Sequence, residues 1–138
     1  MTNHLVTIQA IYEAFGKGDV PTILSYLDEG VEWEAWPDNY AQKSGVPWLI
    51  ARKGVEDTVE FFKVVGEMKF NQFQVKNLMA GGNQVAADIF VEVEIPWTGA
   101  HVTDEEMHLW NFNDAGKVTR FRHYCDTAKH IKAAGVSI

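Results

Sequence analysis

One stretch narrows the possible folds more than any other. Residues 105–127, EEMHLWNFNDAGKVTRFRHYCDT, read as a β-hairpin with a histidine on each arm. On the first arm Glu106, His108, Trp110 and Phe112 alternate with Met107, Leu109 and Asn111. On the second, Phe121, His123 and Cys125 alternate with Arg120, Arg122 and Tyr124. The turn is Asp114-Ala115-Gly116-Lys117. A two-residue loop at Ala115 and Gly116 sets Trp110 opposite Phe121 and His108 opposite His123. A three-residue bulged loop would instead move Arg120 and Arg122 onto the face of Trp110 and Phe112, so the apolar pattern favours the shorter loop. Two imidazoles side by side on a mostly aromatic face predict a pocket floor that can move protons near neutral pH. Burial and mutual repulsion should place at least one of them below the ordinary value of about 6.5.

The rest of the chain supplies partners for that hairpin. Leu5, Ile8, Ile11, Tyr12 and Phe15 recur at helical spacing before Gly16 and Gly18. Asp19 caps a second helix that carries Val20 and Pro21 in its first turn and Ile23, Leu24 and Leu27 as its buried stripe. Val31, Trp33 and Ala35 then mark a strand whose intervening Glu32 and Glu34 are expected to face water. Residues 36–53 hold two prolines, a glycine, Tyr40 and Trp48 without a clean period, as lids or interface loops do. Residues 54–66 return to helix. Strands follow over about 68–79 and 84–95, around Ala80-Gly81-Gly82-Asn83, with Val85, Ala87, Ile89, Val91, Val93 and Ile95 on one face. Residues 96–104 connect to the hairpin, and residues 127–134 close the chain as a short helix.

This order predicts one α+β domain over residues 1–138. A curved, mostly antiparallel, cone-shaped sheet would wrap three helices from the N-terminal half and enclose a pocket. The 138 residues include five Trp and eight Phe, enough rings to line a cavity as well as fill a core. A formal charge of −7 without a Lys/Arg cluster argues against nucleic acid as a partner. Cys125 is the only cysteine, which excludes an intrachain disulfide and fits a reducing compartment. The first residues lack a basic leader, and no apolar run approaches about 18 residues, so a cytoplasmic location without membrane contact is expected.

Two strings give the chain a family resemblance. Residues 11–37, IYEAFGKGDVPTILSYLDEGVEWEAWP, and residues 110–126, WNFNDAGKVTRFRHYCD, resemble the opening and the closing hairpin of the nuclear-transport-factor-2-like superfamily, in particular its SnoaL-like branch. The resemblance covers essentially the whole chain and implies the cone fold. It implies no single reaction, because relatives include isomerases, cyclases, epoxide hydrolases, dehydratases and proteins that only bind or dimerise. Matched to ketosteroid isomerases, the catalytic base falls at Ala35, the acid at His108 and the tyrosine at Ile11, beside Tyr12. Matched to limonene-epoxide hydrolases, the last aspartate of the Asp-Arg-Asp set falls at His123 and the others near Ile89 and Val91. Both known mechanisms are therefore absent, yet two relatives place a catalytic residue where this chain has His108 and His123.

These two histidines are the expected catalytic pair. Tyr12, Trp33, Trp48, Ile89, Val91, Val93, Trp110, Phe121 and Cys125 are the expected ligand-binding residues, suited to a small hydrophobic or polycyclic molecule. A metal site would need a third ligand, for which Glu106 is the only evident choice, so neither metal nor other cofactor is expected. Arg122 and Asp126 are expected to form charge pairs on the outer face. The leading expectation is a cofactor-free isomerase, cyclase, dehydratase or lyase; the alternatives are a ligand-binding module without catalysis and a dimerisation domain whose cavity is filled by its own side chains. Relatives pair through the outer sheet face, where Met107, Leu109 and Tyr124 lie, so a homodimer is expected.

Overall fold

The computed structural model describes residues 3–36 and 38–137. Helix α1, His4–Gly16, begins at Asn3, whose side chain accepts from the Val6 amide, and buries Ile8, Ile11 and Ala14. Helix α2, Val20–Ser25, is capped by Asp19, which accepts from the Thr22 amide and so satisfies one of the helix's free N-terminal donors. Strand β1, Leu27–Trp33, leads into helix α3, Tyr40–Lys43, a single 3-10 turn at Pro47–Leu49 and the short strand β2, Arg52–Lys53. Helix α4 spans Val55–Gly66 and strand β3 Lys69–Gly81. Strands β4, Gln84–Ile95, β5, Ala100–Phe112, and β6, Val118–Tyr124, precede helix α5, Thr127–Ala134.

The six strands form one open, curved sheet in the order β2-β1-β6-β5-β4-β3. Every described pairing is antiparallel except β1 with β6, which run parallel. The α+β cone is thus the observed architecture, with one strand pair that makes the sheet mixed. Strict alternation governs β4, where every odd-numbered residue from Val85 to Ile95 is buried. On the concave side Val85, Val93 and Ile95 join Ile8 and Ile11 of α1, Ile23 of α2, and Phe61, Phe62 and Val65 of α4 in one apolar core, while Ala87, Ile89 and Val91 form a second, smaller cluster. Among the described residues no helix is long and apolar enough to cross a membrane.

Several sequence expectations need correction. Strand β5 starts at Ala100, so its inward row runs Val102, Asp104, Glu106, His108, Trp110, Phe112, all buried. The hairpin loop also differs: Asn113 and Lys117 pair, the Gly116 amide donates to the Asn113 carbonyl, and Asp114, Ala115 and Gly116 form a three-residue loop. Gly116 supplies the positive φ, 79°, that such a loop requires. One strand step on, Phe112 pairs with Val118 but Asn111 with Arg120, so Thr119 bulges out. The bulge cancels the odd loop, and His108 faces His123 and Trp110 faces Phe121 as expected, by a different route.

Residues 38–53 are partly ordered, as α3, the 3-10 turn and β2. Trp48 is buried, Trp36 packs edge-on against Tyr124 on the outer face at 4.6 Å, and Tyr40 points to solvent. Arg122 and Asp126 do not pair with each other. The Arg122 guanidinium donates to the Ala35 carbonyl and lies 5.1 Å over the Trp36 ring, while Asp126 caps α5.

Candidate functional site

A cavity of about 90 Å³ lies inside the cone and is lined almost entirely by apolar atoms. It shares Tyr12, Phe15, Phe62, Val65 and Phe73 with a wider opening of about 570 Å³ between α1, α2, the end of α4 and β3. The aromatic wall forms because β1, β5 and β6 each place an inward ring at the same level. Trp33 stacks on Phe121 at 4.2 Å, and Trp110 meets Phe121 at 4.5 Å.

Four ionisable residues line the closed end: Glu106, His108, His123 and His130. All are buried, and two further carboxylates, Glu34 and Asp104, lie buried behind them. Each comes from a different local rule. Asp104, Glu106 and His108 are successive inward positions of β5, and His123 is their neighbour on β6. His130 lies on the buried side of α5 with Ile131 and Ala133. Glu34 is the residue after β1; a φ of 59° turns its side chain inward where continued alternation would have sent it to water. The expectation that Glu34 is solvated is therefore overturned.

Hydrogen bonds link the cluster into a chain whose direction is fixed at both ends. An indole N–H can only donate. At one end the Trp110 indole donates to the Tyr12 hydroxyl at 3.0 Å, which lies 2.6 Å from Nδ1 of a His108 ring that burial keeps neutral and whose other nitrogen meets a carboxylate, which can only accept. The His108 proton must then sit on Nε2, which faces Glu106 Oε1 at 3.4 Å. At the other end the Trp48 indole donates to His130 Nδ1 at 2.9 Å. The His130 proton therefore sits on Nε2, between Asp104 at 2.9 Å and Glu106 Oε2 at 3.1 Å. Both runs end on the Glu106 carboxylate.

Proton affinities follow from these neighbours. Burial would raise the Glu106 pKa, but His123, His108 and His130 outweigh it and hold the group well below the usual carboxylate range. Burial lowers the His108 pKa, and the facing Glu106 does not restore it. Burial also opposes charge on His123, yet the carboxylates of Glu34 and Glu106 and the Cys125 thiol hold its pKa well above the ordinary value. The two facing histidines are thus not a neutral pair: one has lost affinity for a proton and the other has gained it. His130 is pushed up to about 11 by Asp104, Cys125 and Glu106 against its burial, although protonating Nδ1 would break the Trp48 bond. Burial raises the Tyr12 pKa, which keeps its hydroxyl a donor. Burial raises the Cys125 thiol, but bonds to His123 and His130 bring it below its ordinary value.

Asp104, Cys125 and His130 bring one potential ligand atom each within 4.8 Å of the others. A metal-bound histidine donates its second ring N–H to an acceptor. His130 instead has the Trp48 donor on that nitrogen, so the trio is built as a hydrogen-bonded cluster.

Of the residues singled out in the sequence, Tyr12, Trp33, Trp48, Val91, Val93, His108, Trp110, Phe121 and His123 line the cavity. Ile89 does not; it is buried with Ala87 and Val91 against Phe73 and Leu78. Cys125 does not line it either and sits half-buried behind His123 and His130. Sequence reasoning missed Glu34, Asp104 and His130. A longer reading of the β5 alternation would have found Asp104, and the 127–134 helix period would have placed His130 beside Ile131.

A model of the SnoaL-like domain family matches residues 8–121. An NTF2-like protein of unknown function from Burkholderia pseudomallei has a similar structure, with a TM-score of 0.78 and 23% identity over 97% of this chain and 98% of that one. TerC, crystallised with polyporic acid, has a TM-score of 0.74 and 26% identity over 96% and 98% of the two chains. A candidate polyketide cyclase from Silicibacter sp. TM1040 has a TM-score of 0.74 and 20% identity over 94% and 93%. No protein of curated function matches the chain.

Proposed function

The chain belongs to the SnoaL-like domain family, and we propose that it binds a small hydrophobic, ring-containing molecule and moves a proton on it without a cofactor. The observation that carries this reading is the ionised cluster at the closed end of an otherwise apolar cavity. A buried carboxylate with two imidazole N–H groups turned on it is costly to fold unless it is used, and a core needs no such group.

His123 carries the proton and serves as the acid for a carbonyl or hydroxyl oxygen of the ligand. Glu106 takes the proton released from carbon, while the N–H groups of His108 and His130 hold its oxygens in place. His108 is not the base, because Tyr12 occupies Nδ1 and its own proton occupies Nε2. A carboxylate with a depressed pKa is a weak base, so the ligand must carry an acidic C–H, as between two carbonyl groups. Such a proton shift is the first step of an isomerisation or an aldol-type cyclisation. The polyporic acid bound to TerC makes that compound the first ligand to try here.

Benzoylacetone in deuterated buffer tests the reading. The wild type is expected to accelerate deuterium uptake at the central carbon, and Glu106→Gln to slow it about 100-fold. Binding without exchange by the wild type would favour a ligand-binding module; the absence of both would refute the reading. We also propose a homodimer through the convex face, where Met79, Met107 and Tyr124 are exposed, together with a cytoplasmic location. Light scattering that finds a concentration-independent monomer would contradict the dimer.

A further inference from the structure

We propose that Glu34 is the positioning residue that keeps His123 charged and aimed at the ligand, an inference that rests on the acid role given to His123 above. Three independent observations converge on it. First, Glu34 is wholly buried, and its carboxylate holds His123 twice: Oε1 accepts from the His123 backbone amide at 2.6 Å, and Oε2 lies 3.3 Å from ring Nδ1. Second, Oε2 is buried without a hydrogen bond, and the His123 Nδ1 at 3.3 Å is the cation-forming nitrogen placed to compensate its charge when that nitrogen bears a proton. Third, among the described residues Glu34 is the only non-glycine with a positive φ, at 59°. Such a conformation costs of order 1–3 kcal/mol in a residue with a Cβ and is retained where the surroundings enforce it.

The surroundings do enforce it. The Glu34 amide donates to the Phe121 carbonyl at 2.8 Å, and the Gln42 side chain donates to the Glu34 carbonyl, so the residue is held on both sides. A glycine or asparagine would make this turn with less strain. The position instead holds a glutamate, whose reach brings a carboxylate to the backbone amide and ring of His123.

Other groups face His123 as well. Glu106 and His108 approach from β5, Cys125 from β6 and His130 from α5. Glu106 is shared with His108 and His130, which already donate to it, so Glu34 is the carboxylate not shared with another imidazole. Glu34 touches no ligand in this arrangement, since it does not line the cavity. It acts through His123.

Ring-carbon NMR titration of the full chain tests the proposal, with His123→Gln giving the assignment. In the wild type the His123 ring is expected to titrate well above the ordinary value of about 6.5, and in Glu34→Gln below it, since burial alone disfavours its charge. Polyporic acid affinity should then fall about ten-fold in Glu34→Gln at pH 7.5 and recover near pH 5, where solvent protons replace the effect of the lost carboxylate. A structural role alone would give no such pH-dependent recovery. Glu34→Gly covers the case of a Gln variant that does not fold, because glycine relieves the backbone while removing the carboxylate. An unchanged His123 titration in either variant overturns the proposal. If polyporic acid binds no form of the protein, the ligand reading fails while the ring titrations still decide the role of Glu34.

Discussion

His108 and His123 face each other across two strands, with ring centroids 5.6 Å apart and a shared cavity, yet the regions around them hold opposite proton states. What differs is the element packed behind each ring. Behind His108 stands α1, whose Tyr12 offers a hydroxyl donor to Nδ1 and leaves the ring neutral. Behind His123 stands the end of β1, whose Glu34 offers a carboxylate to the same nitrogen. Identical side chains in register thus come to differ in proton affinity through one residue each from outside the hairpin. When neighbouring titratable groups are pushed apart in pKa, their chemical roles separate with them.

The largest break in this contrast comes from Glu106, which serves both sides. Replacing it with Gln leaves an acceptor for only one of the two imidazole N–H groups, sets an NH2 against the other and removes the counter-charge of His123, and should cost roughly 3–5 kcal/mol in urea denaturation. Because the Glu106 pKa is depressed on folding, its contribution is present above the unfolded value of about 4.3 and is lost as pH falls through the folded value. The Gln variant should therefore show a flatter loss of stability in acid. An unchanged acid limb would mean that the carboxylate is not held as the geometry indicates.

Smaller effects separate the two ends of the chain of bonds. Tyr12→Phe keeps the ring but orphans the Trp110 N–H and His108 Nδ1, at about 1–3 kcal/mol, and should leave the His123 titration in place. Trp48→Phe removes the donor to His130 Nδ1 and should cost about 1 kcal/mol or more, partly offset because Nδ1 is then free to take the second ring proton while the Nε2 proton stays between Asp104 and Glu106. A His130 ring resonance that stays neutral in Trp48→Phe would contradict that compensation.

Much of this frame was legible in the sequence, and the losses have identifiable causes. The face-to-face histidines were readable because burial demands that apolar residues of paired strands share a face; the same demand selected a compensating bulge at Thr119 that no local pattern announced. Odd-numbered β4 residues were readable for the same reason, although Ile89 proved to pack behind the cavity wall. Glu34 escaped because alternation holds only while the backbone stays extended, and β1 ends one residue earlier. Asp104 escaped because residues 96–104 read as a connection, and only strand pairing with β4 extends the inward row back beyond Glu106. His130 lies 26 residues beyond its partner Asp104 and meets the cluster only through the docking of α5, a tertiary fact.

The smallest expected effect is also the sharpest test of the contrast, because it concerns sign. His108 has a depressed folded pKa, so the unfolded chain binds its proton more readily. Its presence opposes folding as pH falls below about 6.5, the opposition grows until the folded pKa is reached, and above about pH 7 it vanishes. His123 has a raised folded pKa, so its contribution is fully present below about 6.5 and is lost as pH rises through the folded value. Stability measured against pH should therefore respond to the two Gln substitutions on opposite limbs. His108→Gln should relieve part of the decline between about pH 6.5 and 5, and His123→Gln should cost most below about 6.5 and progressively less on the alkaline side. Urea midpoints at half-unit intervals would resolve both. If both substitutions moved the same limb in the same direction, the two rings would share one environment, and the separate roles assigned to Tyr12 and Glu34 would fall together.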